Sequence, residues 1–239
     1  MKVALFVTCL VDQLFPEVGE ATVAVLRRLG VDVDFPVAQT CCGQVAFNDG
    51  FWSEARLLAG RFLKTFSDVD AIVAPSGSCA AMVREFYPVL LRDDPDLTAR
   101  ARELGHRTYE LSEFIVDVFG RDDVGASFPR HVTYHASCHG LRGLGVREQP
   151  FRLLRQVRGL ELRQLRGLEE CCGFGGMFAV KFSGLSASML DAKIRAIEES
   201  GAEVVTATDA SCLMHIAGGL ARRGSPIRAM HLAEILAAH

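Results

Sequence analysis

The chain has 239 residues, 49% hydrophobic and 23% charged, a globular composition that excludes disorder, a collagen helix and a continuous coiled coil. No run approaches the roughly 18–20 apolar residues needed to cross a bilayer, and the apolar stretch 3–11 is not followed by a small-residue cleavage site, so a buried first strand and a cytoplasmic location are expected, a peripheral membrane association being left open. The net charge of −3 is unevenly divided: residues 1–125 carry 12 basic and 19 acidic side chains and residues 126–239 carry 14 and 10, neither half being basic enough for a nucleic-acid footprint.

In chain order, short β-rich runs alternate with helical patterns, which argues for parallel sheets covered by helices. In the first half strands are expected near 2–8, 31–35, 70–74 and 107–109, with helices near 17–29, 52–66, 79–91 and 110–119. The segment 92–106, with its Asp93-Asp-Pro-Asp96 string, reads as an added excursion. The second half reads as strands near 131–136, 160–165, 203–207 and 227–230, with helices near 148–158, 179–199, 212–222 and 231–238.

The cysteines show why the halves look alike. They fall at 9, 41, 42 and 79 and again at 138, 171, 172 and 212, each set being one Cys, then 31 or 32 residues, then Cys-Cys, then 36 or 39 residues that begin with Gly, and a last Cys. Their flanks also match: residues 2–9 parallel 131–138, residues 70–79 parallel 203–212, and Leu111-Ser-Glu-Phe-Ile115 parallels Leu232-Ala-Glu-Ile-Leu236. The expected fold is therefore α/β, two repeated doubly wound domains, each a small parallel sheet flanked by helices, spanning 1–125 and 126–239.

Cys9 closes the first strand, Cys41 and Cys42 follow the second, and Cys79 follows the third just before a helix. All therefore lie at strand carboxyl ends, the rim where open α/β sheets bind ligands. Helices starting near Cys79 and Cys212 would aim free N–H groups at the thiolates, and Gly43 and Gly173 let adjacent cysteines turn the same way. Reduced thiols are expected in the cytoplasm, so a disulfide framework is disfavoured.

Four thiols per rim suit tetrahedral zinc or an iron–sulfur cluster. The adjacent Cys-Cys pair and the absence of a Cys-x2–4-Cys knuckle favour the cluster, while zinc binding, thiol redox chemistry and buried structural cysteines remain the alternatives. His139 and His215 each sit near a cysteine; Met82 stands at the position equivalent to His215, so His215 reads as an outer contact or a solvated side chain, with direct ligation as the alternative. Gly173-Phe-Gly-Gly176 lacks the full dinucleotide spacing and reads as a backbone nest.

Two copies of Cys…Cys-Cys-Gly…Cys resemble the cysteine-rich domains of heterodisulfide reductase and of the iron–sulfur subunits of glycolate oxidase and anaerobic glycerol-3-phosphate dehydrogenase. Longer strings, Phe6-Val-Thr-Cys-Leu-Val-Asp12, Cys41-Cys-Gly-Gln44, Pro75-Ser-Gly-Ser-Cys79, Tyr109-Glu-Leu111, Ser137-Cys-His139, Cys171-Cys-Gly-Phe-Gly-Gly176 and Cys212-Leu-Met214, resemble the lactate utilization protein A family over essentially the whole chain.

That resemblance implies an iron–sulfur electron-transfer subunit of an L-lactate dehydrogenase, acting with two other lactate-utilization subunits to oxidise L-lactate to pyruvate. It also implies one or two clusters of four-iron type held by Cys9, Cys41, Cys42, Cys79, Cys138, Cys171, Cys172 and Cys212, with no catalytic residue assigned. A zinc-stabilised scaffold without a redox role and a thiol oxidoreductase are the rival functions. The sequence departs from the five-cysteine relatives in placing Ser76 and Asp209 where they carry a further thiol, and it has Ala210 where the second half of the nearer family tends to place one.

A basic stretch completes the reading. Seven arginines from Arg142 to Arg166 stand against only Glu148 and Glu161, and Arg152, Arg155 and Arg158 recur at helical spacing beside Phe151, Leu154 and Val157, which reads as an exposed stripe, either an ordinary solvated helix face or a surface that docks an acidic partner.

Overall fold

The computed structural model describes residues 2–239. The first half contains β1 (Lys2–Leu5), α1 (Cys9–Leu14), α2 (Pro16–Arg28), β2 (Asp32–Asp34), α3 (Gln44–Asn48), α4 (Trp52–Thr65), β3 (Ile72–Ala74), α5 (Gly77–Ala81), α6 (Tyr87–Leu90), α7 (Pro95–His106), β4 (Thr108–Glu110) and α8 (Leu111–Glu113). The second contains β5 (His131–Tyr134), α9 (Gln149–Gln156), β6 (Glu161–Arg163), α10 (Phe178–Lys181), α11 (Ser183–Glu199), β7 (Val204–Ala207), α12 (Ala210–Arg222), β8 (Arg228–His231) and α13 (Leu232–Ala237). Wider π-helical turns occupy Met82–Phe86, Phe114–Val118 and His139–Gly143.

Each half builds a four-stranded parallel sheet, in the order β2-β1-β3-β4 and β6-β5-β7-β8. β3 and β7 are buried at every position, the signature of a central parallel strand covered on both faces. In the first half the amphipathic helices α2 and α4 bury Val18, Val25 and Leu26 and Ala55, Ala59, Phe62 and Leu63.

The halves are interlocked. α13 packs on α2, and α8 packs on α9, so the last helix of each repeat rests on a helix of the other. One buried cluster accordingly joins Val3, Val25 and Leu26 to Val132, Leu153 and Ile235. Arg28 fastens the exchange, its guanidinium donating to the carbonyls of Val124 (3.1 Å), Leu236 (3.0 Å) and Ala237 (2.7 Å).

Several local expectations change. The segment 92–106 folds from Pro95 onward as α7, with Pro95 at its first turn and Asp94 capping the Leu97 N–H, so the acid-and-proline string starts a helix. The single helix expected at 179–199 is broken at Phe182 into α10 and α11. β1 ends at Leu5, leaving Cys9 as the first residue of a helix and not the end of a strand. The arginine stripe is also curtailed: α9 stops at Gln156, before Arg158, while Arg152 pairs with Asp122 at 2.8 Å and Arg155 lies over the Phe151 ring. No helix among the described residues is long and apolar enough to cross a membrane.

Candidate metal centre

The cysteines sit where three βα connections of each sheet end. Cys9 opens α1, Cys41 and Cys42 lie in the loop before α3, and Cys79 lies in α5; Cys138 precedes a π-helical turn, Cys171 and Cys172 lie in the loop before α10, and Cys212 lies in α12. The two sheets aim these ends at each other, and all eight cysteines line one cavity of about 200 Å³. Sequence reasoning placed each set on its own rim; the structure makes the rims opposite walls of a single space.

Within the first set, Cys9 Sγ stands 3.5 Å from Cys41 Sγ and Cys42 Sγ stands 3.4 Å from Cys79 Sγ. A shared metal at about 2.3 Å from each sulfur would hold tetrahedral sulfurs about 3.8 Å apart, so these pairs are within ligating reach of a common centre. The bend that brings neighbouring thiols to one side is made by Gly43 (φ +83°) and Gly173 (φ +89°), both left-handed. A side chain at Gly173 would also strike the Ser186 carbonyl, its Cβ falling 2.6 Å away. The same glycines donate their N–H groups to the sulfurs of Cys41 and Cys171, each at 3.4 Å.

These contacts sort the sulfurs by charge. The neighbouring Cys42 and Cys9 thiols hold Cys41 well below the ordinary thiol range, and the neighbouring Cys138 and Cys172 thiols do the same for Cys171; the glycine N–H groups add to both. Cys9, Cys42, Cys138 and Cys172 are correspondingly pushed up, first by the cysteines beside them and then by burial. Each half thus has one sulfur poised as thiolate with two thiols beside it, a donor set suited to a thiophilic metal that displaces the protons. The cavity fits more than a lone ion, since roughly 10–15 Å³ of such space already holds a water. The residues therefore fit an iron–sulfur group, with Cys9, Cys41, Cys42 and Cys79 on one side and their counterparts on the other.

Two histidines singled out in the sequence lie at the edge of this arrangement. His139 Nδ1 is 3.6 Å from Cys138 Sγ, and His215 bonds Ser186 Oγ at 3.3 Å with its ring against Phe174. A third, His135, escaped sequence reasoning although the matched repeats set it opposite Phe6. It is buried, and one of its ring nitrogens lies within 4.8 Å of the sulfurs of Cys172 and Cys212. Burial, then the charge of Lys193, lowers its pKa to about 3 against an opposing pull from Cys171, so the ring is neutral. Asp209, another residue of unexpected weight, crosses between the halves: its carboxylate accepts from Ser76 Oγ (2.8 Å), Ser78 Oγ (2.7 Å) and Ser78 N (3.1 Å).

Comparison with known proteins agrees with the duplicated architecture. The cysteine-rich domain of CCG type matches twice, at residues 3–84 and 132–217. The chain is 52% identical over 236 residues to "Lactate utilization protein A" of Geobacillus kaustophilus (strain HTA426), covering 99% of this chain and 98% of that protein. It is 50% identical to the protein of the same name from Bacillus subtilis (strain 168), covering 99% of each. A solved structure described as a putative Asp/Glu racemase from Yersinia pestis overlays 99% of this chain and 96% of its own with a TM-score of 0.38 at 10% identity, too loosely to bear on function.

Proposed function

The chain belongs to the lactate utilization protein A family, with the cysteine-rich domain present twice, and from that premise we propose that it is the iron–sulfur electron-transfer subunit of a lactate-oxidising system. In this reading it works in the cytoplasm with two other lactate-utilization subunits, and electrons leaving L-lactate as it becomes pyruvate pass through this chain to an acceptor. The unit of duplication is 1–125 and 126–239. The observation that carries the proposal is the convergence of all eight cysteines on one cavity, which brings two thiol sets from opposite repeats into a common space.

When bound, clusters of four-iron type, one or two per chain, would supply one-electron acceptance and release. The chain's own residues do the rest. Cys9, Cys41, Cys42 and Cys79, and Cys138, Cys171, Cys172 and Cys212, offer the ligating sulfurs. The N–H groups of Gly43 and Gly173 neutralise part of the sulfur charge, which favours electron uptake. Cys42, Cys79, Cys172 and Cys212 are buried, which limits water on their side of the site.

Anaerobic purification followed by iron and acid-labile sulfide analysis and electron paramagnetic resonance tests the reading. A brown protein with both elements and a reducible signal is expected. A colourless protein holding stoichiometric zinc would establish the scaffold alternative, and turnover that survives iron chelation but not alkylation would establish the thiol oxidoreductase.

A further inference from the structure

The two thiol sets rest on different floors. Phe6 follows β1 as His135 follows β5. On the facing helices, Gly43 packs against Ala55 and Leu58 of α4 while Gly173 packs against Ser186 and Met189 of α11, and the same offset carries Phe62 onto Lys193. In the first half Phe6 and Phe62 meet edge to face with ring centroids 5.0 Å apart, part of an aromatic core. In the second half these places hold His135 and Lys193, each about 1% exposed.

Lys193 is accounted for, since its ammonium donates to the Gly167 carbonyl at 2.5 Å. His135 is not. Neither ring nitrogen has a hydrogen-bond partner among the described residues, and leaving a buried imidazole unsatisfied costs about 1–3 kcal/mol. The hydrocarbon that fills this place in the first half carries no such cost. What the histidine has beside it is sulfur: a ring nitrogen, Cys172 Sγ and Cys212 Sγ lie mutually within 4.8 Å, all three residues buried. Imidazole nitrogen and thiolate sulfur together form a donor set for iron or zinc.

We propose that His135 is a nitrogen ligand of the second centre, joining Cys172 and Cys212 on iron, so that the second centre is mixed sulfur and imidazole while the first, with Phe6 in the matching place, is all sulfur. The proposal rests on the iron–sulfur reading above and adds an inequivalence between the two halves.

The test labels the full chain with 15N-histidine, reconstitutes it anaerobically with ferrous iron and sulfide, and records pulsed electron paramagnetic resonance of the reduced protein. A 15N coupling of the size of a directly bonded nitrogen is expected. It should persist in His215→Gln and be lost in His135→Phe, which installs the residue the first half tolerates; circular dichroism checks that this variant keeps its fold. Absence of the coupling in the parent protein, or its persistence in His135→Phe, overturns the ligand, and the parent measurement stands even should that variant fold poorly. Iron uptake without the coupling rejects the histidine alone, whereas a protein that takes up no iron rejects the cluster reading and this inference together.

Discussion

Asp209 and Ser76 occupy the same place in the two repeats, and they touch: Ser76 Oγ donates to Asp209 Oδ1 at 2.8 Å across the junction of the halves. Both residues are buried, and Ser78 adds its N–H and hydroxyl to the same carboxylate. In Asp209→Ala three donors would lose their acceptor inside the protein, a loss on the order of 2–4 kcal/mol. The expected result is a lower urea midpoint with an unchanged far-ultraviolet spectrum; a midpoint equal to that of the parent would show that water replaces the carboxylate freely.

The junction is tight a few ångströms away. A Cβ built on Gly77 would stand 2.9 Å from Gly140 Cα and 3.2 Å from its nitrogen, backbone against backbone. Gly77→Ala should therefore push the halves apart and cost about 1–3 kcal/mol. Gly60, on α4 with open space at its Cβ, is the control: Gly60→Ala should be neutral or slightly stabilising. Thermal melts of the two variants check the contrast, and equal midpoints would refute the close-approach argument.

The repeat was legible because the matched strings extend beyond the cysteines to the buried strands, where apolar β-formers such as Ile72-Val-Ala74 and Val204-Val-Thr-Ala207 report burial directly. The rim position of the thiols followed from strand order alone. What could not be read was anything set by the packing of one half on the other. No local pattern says that α13 rests on α2, or that Arg28 ties residues some two hundred positions apart. His135 is a different case: its contrast with Phe6 was present in the aligned strings, but a lone histidine carries no metal spacing until Cys172 and Cys212 are folded beside it.

Glu110 provides a pH test of the core. It caps α8, is fully buried, and burial pushes its carboxyl up to about 8 despite hydrogen bonds from Ser112 and Glu113. Below the ordinary value of about 4.5 both folded and unfolded states hold the proton, and its stabilising contribution is complete. As pH rises toward about 8 the unfolded state releases the proton while the folded state keeps it, so stability falls, levelling off above that value. Glu110→Gln has no proton to lose. Its stability relative to the parent should rise between about pH 5 and about pH 8.5 by an amount on the order of a few kcal/mol, read from urea midpoints; a difference independent of pH would mean that Glu110 is ionised in the fold.

Cys41 and Cys171 are the sulfurs held most strongly as thiolates, and each lies in a loop at the sheet edge, away from the buried strands that supply most of the folding energy. Replacing either by Ser substitutes a poorly ionising hydroxyl for the best-prepared ligand without removing core volume. Cys41→Ser should lose iron from the first set and Cys171→Ser from the second, each leaving the other set loaded, with thermal midpoints of the metal-free chains close to the parent. The double variant should retain little iron. Iron and sulfide contents measured after anaerobic reconstitution decide it: full content in both single variants would remove these two cysteines from the ligand set, and loss of all iron in either one would mean that the facing sets bind one shared cluster across the cavity instead of two.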